Sequence, residues 1–334
     1  MPLSSVDSSR PAVDIRRLQR IFDRRAQTFD AVSFLPREVA QRMRERLECV
    51  NLTPTRILDA GCGLGDDLLA LQAYFDSAQI YGLDVSHQML ARALAATGAP
   101  RLGWRGRLAD TLSRKIQFKS PRGRKLMQIF QPRPRQTVQA DFATLPFAAS
   151  TFDLCWSNLA LHWHPRPEQV LLEWQRVLKT GGLLMFSLLG PDSLCELRAA
   201  GQRAGAQMPS SRVLDFTDMH DLGDMLVASG FEIPVMEMEK LTITYSSPAA
   251  LLSDVRRWGA YPFNLAQRPA GLTGRGWHEA LMTALEAQRR ADGTLSLTFE
   301  IIYGHAWKAA ARTTAEGYAI VRLDEITKAA KQKS

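Results

Sequence analysis

The segment Arg56-Ile-Leu-Asp-Ala-Gly-Cys-Gly-Leu-Gly-Asp66 constrains the fold of this chain more than any other. A short apolar run, typical of a buried strand, leads directly into a turn with glycine at three alternate positions. These glycines are Gly61, Gly63 and Gly65. Asp59 closes the strand, and the next apolar run along the chain ends in a second acid, Asp84. A strand, a glycine turn, a helix and a second strand that ends in an acid predict a nucleotide-cofactor site in a doubly wound α/β fold.

The spacing of the glycines favours one class of cofactor. A dinucleotide-binding turn would need its third glycine where this chain has Asp66. A pyrophosphate would also be repelled by Asp59 and Asp66. A ligand with a cationic, amino-acid-like end and a ribose suits the turn better, and S-adenosylmethionine is such a ligand. The alternative is a glycine turn in an α/β domain that binds no ligand.

Acids or amides also follow the later predicted strands. The third strand, Thr137 to Ala140, is followed by Asp141 and Phe142, and the fourth strand, from Phe152, ends at Asn158. Because parallel strands end at the same sheet edge, we expect these side chains to lie around one ligand. Asp84 would accept from the ribose hydroxyls, and Asp141 from the adenine amino group beside Phe142. Asp59 would organise the glycine turn, and Asn158 would lie near the reacting end.

The remaining pattern predicts helices and a cap around this sheet. Two amphipathic helices, Ala12 to Phe29 and Pro36 to Cys49, precede the first strand, so residues 1–50 are expected to lie over the site. A helix from Pro165 to Lys179 is expected to stop at Thr180-Gly-Gly182. Residues 193–217 and 248–279 fall outside the alternation of strands and helices, and we expect them to form a cap. A tail, 307–334, is not assigned.

Composition limits the class of protein. The chain of 334 residues is 46% hydrophobic, which supports a sizeable core. No apolar run approaches the roughly 20 residues that span a bilayer. The four cysteines are scattered without disulfide or metal-ligand spacing, so we expect a cytoplasmic protein without a structural metal.

The positive charge is concentrated in one predicted insertion, residues 101–136. Residues 101–135 contain eleven basic side chains and one acid, Asp110, a net +10 in a chain whose total is +8. Three interpretations remain open: a solvated arm, a docking surface for an acidic protein, or a nucleic-acid contact, the last being the least favoured.

Further segments carry a narrower resemblance. They are Phe22-Asp-Arg-Arg-Ala26, Trp156-Ser-Asn-Leu-Ala-Leu-His-Trp163 and Ser187-Leu-Leu-Gly-Pro-Asp-Ser-Leu-Cys-Glu-Leu-Arg198. With the glycine turn, they make the chain resemble the class I S-adenosylmethionine-dependent methyltransferases, and more narrowly the malonyl-[acyl-carrier protein] O-methyltransferase family of biotin biosynthesis. The chain departs from that family at Phe29, where a tyrosine is usual, and at His162, where glutamine is frequent.

The resemblance implies a mostly parallel, seven-stranded Rossmann-like methyltransferase sheet within residues 51–306. It implies methylation of the free carboxylate of a malonyl group on acyl carrier protein, with S-adenosylmethionine as the methyl donor. A carboxylate is already ionised at neutral pH, so no catalytic base is expected. The predicted cofactor-binding residues are Phe29, Asp59, Gly61, Cys62, Gly63, Asp84, Val85, Met89, Asp141, Phe142 and Asn158.

For the acceptor, His162, Trp163 and Arg256 are the predicted contacts. His162 and Trp163 could equally form a packed loop that leads into the next helix, and Arg256 could lie on a solvated helix face. The alternative function is an assembly factor of the same fold that modifies or chaperones a protein.

Overall fold

The computed structural model describes residues 15–98, 136–204, 216–259 and 275–310. Residues 101–135 of the predicted insertion lie outside the described residues. So do parts of the two predicted cap segments and most of the tail.

A seven-stranded sheet forms the centre of the molecule. Its strands are β1 (Arg56–Ala60), β2 (Gln79–Asp84), β3 (Gln136–Gln139), β4 (Phe152–Ser157), β5 (Leu178–Leu189), β6 (Phe231–Tyr245) and β7 (Leu295–Lys308). The strand order is β3-β2-β1-β4-β5-β7-β6. Neighbouring strands among β1 to β5 pair in parallel, and β7 is antiparallel to both β5 and β6. This arrangement confirms the predicted fold class. It also places the reversal of strand order between β1 and β4, where open α/β sheets bind ligands.

Helices cover the sheet on both faces. They are α1 (Ile15–Arg25), α2 (Phe34–Leu47), α3 (Asp66–Tyr74), α4 (His87–Gly98), α5 (Pro167–Val177), α6 (Cys195–Arg203), α7 (Met219–Ala228), α8 (Pro248–Trp258) and α9 (Arg275–Glu286). Short 3₁₀ turns span Phe29–Val32 and Leu161–Trp163. Within the described ranges, no helix is both long and apolar enough to cross a membrane.

The core has one layer on each face of the sheet. Along β1, Ile57 packs into one apolar cluster, while Leu58 and Ala60 pack into the other. Because successive side chains of a strand point to opposite faces, a strand that is apolar throughout requires helices on both sides.

The predicted end of the helix that follows Pro165 is wrong. The helix α5 ends at Val177, and β5 begins at the next residue, so Gly181 and Gly182 lie inside the strand. Gly181 has φ +70°, and a Cβ on Gly182 would lie under 3 Å from the Lys179 carbonyl oxygen. The pairing of β4 with β5 shifts register beside these glycines. They therefore allow an irregularity in the strand and do not stop the helix.

Candidate active site

A cavity opens at the carboxyl ends of β1, β2 and β4, next to the reversal of strand order. It encloses about 920 Å³ of empty space, part of which is open to solvent. The glycine turn forms its floor, and the N-terminal helices and the end of α8 form the opposite wall. Its place at the carboxyl ends of the strands is where open α/β sheets bind ligands.

The glycine turn exposes backbone to the cavity. Gly61 and Gly63 both line it, and both have positive φ, +85° and +51°. The amides of Gly61 and Cys62 donate to the carbonyl oxygen of Leu83 at 2.7 and 2.9 Å, which ties the turn to β2. A Cβ on Gly61 would collide with the Cβ of Ala160, whereas a Cβ on Gly63 would enter open space. Glycine is therefore required at 61 by packing, and at 63 it leaves room for a ligand.

Asp84 is held by the turn and by the start of α4. Its Oδ2 accepts from the amide of Gly63 at 2.9 Å, and its Oδ1 accepts from the amide of Ser86 at 2.8 Å. Burial raises the pKa of Asp84 to about 6, although these hydrogen bonds act in the opposite direction. Each carboxylate oxygen keeps a lone pair for a further donor. Val85 and Met89 line the cavity beside it.

Ser86 caps the N-terminus of α4. Its Oγ accepts from the amide of Met89 at 3.1 Å and donates to Asp23 Oδ1 at 2.6 Å. The cap thus connects α1 to the rim of the cavity.

Asp59 is a buried acid behind the turn. Its side chain is 1% exposed, and its Oδ2 has no hydrogen-bond partner among the described residues. Burial, followed by the charges of Asp67 and Asp84, raises the pKa of Asp59 well above its usual value. Asp59 does not itself line the cavity, but three acids so close together favour a cation in front of them.

Asp67 was not predicted, although it is the centre of this network. It lines the cavity from the first turn of α3, and its Oδ2 accepts from Trp156 Nε1 at 3.0 Å and Asn158 Nδ2 at 3.1 Å. Asn158 also donates to the carbonyl oxygen of Pro36 at 2.9 Å. The sequence signal was the spacing of Asp67 four residues before Leu71, which places both on the buried face of α3.

Aromatic side chains form the opposite wall. Phe22, Phe29, Trp163 and Trp258 line the cavity. The rings of Phe22 and Trp163 meet edge to face, with 5.1 Å between centroids, and Trp258 Nε1 donates to the carbonyl oxygen of Val32 at 2.7 Å. The N-terminal contributions, Leu18, Phe22, Ser33, Pro36 and Arg37, were not predicted individually. At Phe29 the wall has no hydroxyl.

Phe142 and Asp141 lie at the end of the cavity near β3. Phe142 lines the cavity, but Asp141 does not. The Asp141 carboxylate accepts from the amide of Ala143 at 2.9 Å and lies 3.6 Å from His164 Nε2. Burial alone would raise the pKa of Asp141, but the nearby His164 ring and the hydrogen bond from the Ala143 amide outweigh it, and the pKa is lowered. The adenine contact of Asp141 stays a prediction.

Of the three predicted acceptor contacts, the structure brings only Trp163 to the cavity. His162 packs against Trp163 and Phe216, and burial lowers its pKa to about 3, so its ring is neutral at pH 7. Arg256 is exposed on α8 and does not line the cavity.

Comparison with known proteins identifies the family. A family profile described as a methyltransferase domain matches residues 58–186. Two solved structures share the fold. The YcgJ protein of Bacillus subtilis has a TM-score of 0.51 and 18% identity, and the match covers 80% of this chain and 98% of that one. The [4+2]-cyclase SpnF has a TM-score of 0.52 and 19% identity, and the match covers 91% of this chain and 100% of that one.

Closer similarity is found among curated sequences. A malonyl-[acyl-carrier protein] O-methyltransferase of Methylovorus sp. (strain MP688) is 42% identical over 90% of this chain and 91% of its own length. Another, of Gallionella capsiferriformans (strain ES-2), is 40% identical over 93% of this chain and 96% of its own length. The similarity extends over nearly the whole of each protein. The chain belongs to the malonyl-[acyl-carrier protein] O-methyltransferase family.

Proposed function

We propose that this enzyme transfers a methyl group from S-adenosylmethionine to the free carboxylate of a malonyl group on acyl carrier protein, an early step of biotin synthesis. The observation that carries the proposal is the cavity itself: buried acids and a glycine turn lie on one side, and an aromatic wall lies on the other. Relatives that bear this activity in their names match the chain over about nine-tenths of its length.

The residues present fit S-adenosylmethionine. The unpartnered Oδ2 of Asp59, beside Asp67 and Asp84, favours the cationic methionine end, and the open space at Gly63 admits a ligand against the backbone. Asp84 retains lone pairs for ribose hydroxyls. When bound, this cofactor supplies an electrophilic methyl group on a positively charged sulfur.

The chain has little acid–base chemistry to perform. The acceptor carboxylate is already an anion at neutral pH, so it can attack without losing a proton. Its oxygen forms a bond to the methyl carbon while the carbon–sulfur bond breaks and its electron pair remains on sulfur. Phe22, Phe29, Trp163 and Trp258 present apolar surface at this end, which disfavours water there. Holding the reactants in line contributes about 7–11 kcal/mol in well-oriented systems.

Docking of the acyl carrier protein remains a proposal about residues 101–135. Their net charge of +10 would attract an acidic carrier at long range. Deleting them should raise the KM for carrier-linked malonate at low salt and leave a short malonyl thioester unaffected. Equal effects on the two substrates would rule the docking role out.

The free thiols of all four cysteines support a cytoplasmic location.

Methyl transfer provides the direct test. Purified protein with a labelled methyl donor should produce malonyl methyl ester on acyl carrier protein and no ester on the acetyl form, which has no free carboxylate. Expression should also relieve the biotin requirement of a strain that lacks this step. If the protein binds S-adenosylhomocysteine but transfers no methyl group to malonate, the assembly-factor alternative is favoured instead.

A further inference from the structure

A substrate carboxylate faces an unfavourable field in this cavity. Among the described residues, four charged side chains line the cavity, and three of them are acids: Asp66, Asp67 and Asp84. The remaining walls are largely apolar, so the carboxylate would lose hydration as well as meet like charge. A specific site for an anionic acceptor therefore needs a cation close to its aromatic end.

Arg37 is the one cation that lines the cavity among the described residues, but other anions already hold it. Its Nε lies 2.9 Å from Asp66 Oδ2, and its Nη2 lies 3.6 Å from Asp30 Oδ1. Its side chain is 52% exposed, so solvent screens its charge.

The two side chains predicted from the sequence do not supply the charge either. His162 is neutral at pH 7 because burial lowers its pKa to about 3. Arg256 is exposed on α8, so solvent screens its charge.

Arg25, at the end of α1, lies directly behind the aromatic wall. Its Nη1 packs against Gly259, the residue after Trp258, and occupies the space that a Cβ on Gly259 would need. The same Cβ would lie 3.0 Å from Cη2 of Trp163. Trp258 and Trp163 line the cavity and Arg25 does not, so the guanidinium lies behind this part of the wall.

Arg25 keeps its charge at neutral pH although it is partly buried. Arg25 is half-buried, and burial, with a smaller contribution from Arg24, lowers its pKa to about 10. It is therefore a cation throughout the neutral range. Because it is partly removed from water, its field reaches the cavity with less screening than that of an exposed arginine.

We propose that Arg25 is the specificity-determining residue that attracts the free carboxylate of the acceptor to the aromatic end of the cavity. This inference rests on the proposed function. Transfer turns the carboxylate into a neutral ester, so the attraction by Arg25 ends when the reaction is complete. The same charge thus favours substrate entry and product release.

Kinetics of Arg25→Gln test the proposal. The assay uses malonate on a short synthetic thiol, so that carrier docking does not contribute. We expect kcat/KM to fall about 10- to 100-fold, mainly through KM. Arg25→Lys, which keeps the charge, should recover most of the loss. Arg24→Gln is the matched control because Arg24 is the preceding residue of the same helix and is exposed, and it should stay within about twofold of wild type.

Calorimetry with S-adenosylhomocysteine separates this inference from the proposed function. Arg25→Gln should bind that product as tightly as wild type. If KM is also unchanged, Arg25 does not recognise the acceptor, although the methyltransferase assignment stands. If wild type binds the product but methylates no malonyl thioester, the proposed function itself fails.

Gly259→Ala provides a second route if Arg25→Gln does not fold. The added Cβ would displace the guanidinium, so KM should rise as in Arg25→Gln. Gly293→Ala is the control, because Gly293 also has a positive φ (+81°, against +98° at Gly259) but a Cβ there meets nothing within 4 Å. An unchanged KM in Gly259→Ala would overturn the proposal.

Discussion

Replacing Asp67 by alanine tests whether the acid network holds the site together. The carboxylate accepts from the indole N–H of Trp156, which is fully buried, and from one amide hydrogen of Asn158. Alanine leaves both donors without that acceptor. A buried donor that loses its partner costs about 1–3 kcal/mol.

Two features reduce the loss of stability expected for Asp67→Ala. Asn158 lines the cavity, so water can replace the lost acceptor there. Removing Asp67 also relieves the repulsion that helps to raise the pKa of Asp59. We therefore expect Asp67→Ala to lower the free energy of unfolding by about 2–4 kcal/mol. Asp67→Asn keeps an acceptor oxygen and should cost less than half of this.

The neighbouring acid provides the control. The side chain of Asp66 is 43% exposed and pairs with Arg37, an interaction worth about 0–1 kcal/mol at a surface. Urea unfolding of Asp66→Ala, Asp67→Ala and Asp67→Asn, each followed by tryptophan fluorescence, gives the comparison. If Asp66→Ala and Asp67→Ala agree within about 0.5 kcal/mol, the network is not the structural element inferred here.

Three further measurements probe the floor and rim of the cavity. Gly61→Ala should destabilise the fold by several kcal/mol more than Gly63→Ala, because only a Cβ at 61 collides with Ala160. Thermal unfolding of the two variants tests this difference. Gly63→Ala should instead weaken binding of S-adenosylhomocysteine at least tenfold, which calorimetry would detect, since its methyl group enters ligand space. The pKa of Asp84 is raised to about 6 by burial, so the native state keeps a proton that the unfolded chain has already lost. This contribution lowers stability as pH rises from about 4 to 6, and Asp84→Asn should show a smaller loss over that range in urea titrations.

Local chemistry explains which parts of the site the sequence predicted. The glycine turn and Asp84 follow from neighbours in the chain, namely buried strands and residues with positive φ. The structure therefore ends β2 at Asp84, as the sequence predicts. Such features need no knowledge of what packs above the sheet.

The far wall of the cavity depends on tertiary packing and was harder to predict. The periodicity of α1 predicts a buried stripe but does not say which surface it covers. Only in the folded chain do Leu18 and Phe22 face the glycine turn, and only there does Arg25 reach Gly259. Arg256 was a reasonable prediction from residue type, but the turn of α8 directs it to solvent while Trp258 faces inward.

The separation of charges in this cavity fits the reaction better than a catalytic base would. A cationic donor is favoured beside Asp59, Asp67 and Asp84, and in our proposal Arg25, behind the aromatic wall, attracts the anionic acceptor. Methyl transfer converts this pair of opposite charges into two neutral products. Since a dry, apolar wall strengthens attraction between opposite charges, it favours their approach without any proton transfer. A basic side chain would compete with the acceptor carboxylate for the methyl group. This is a physical reason for aromatic side chains, which do not accept a methyl group, to line the reacting end.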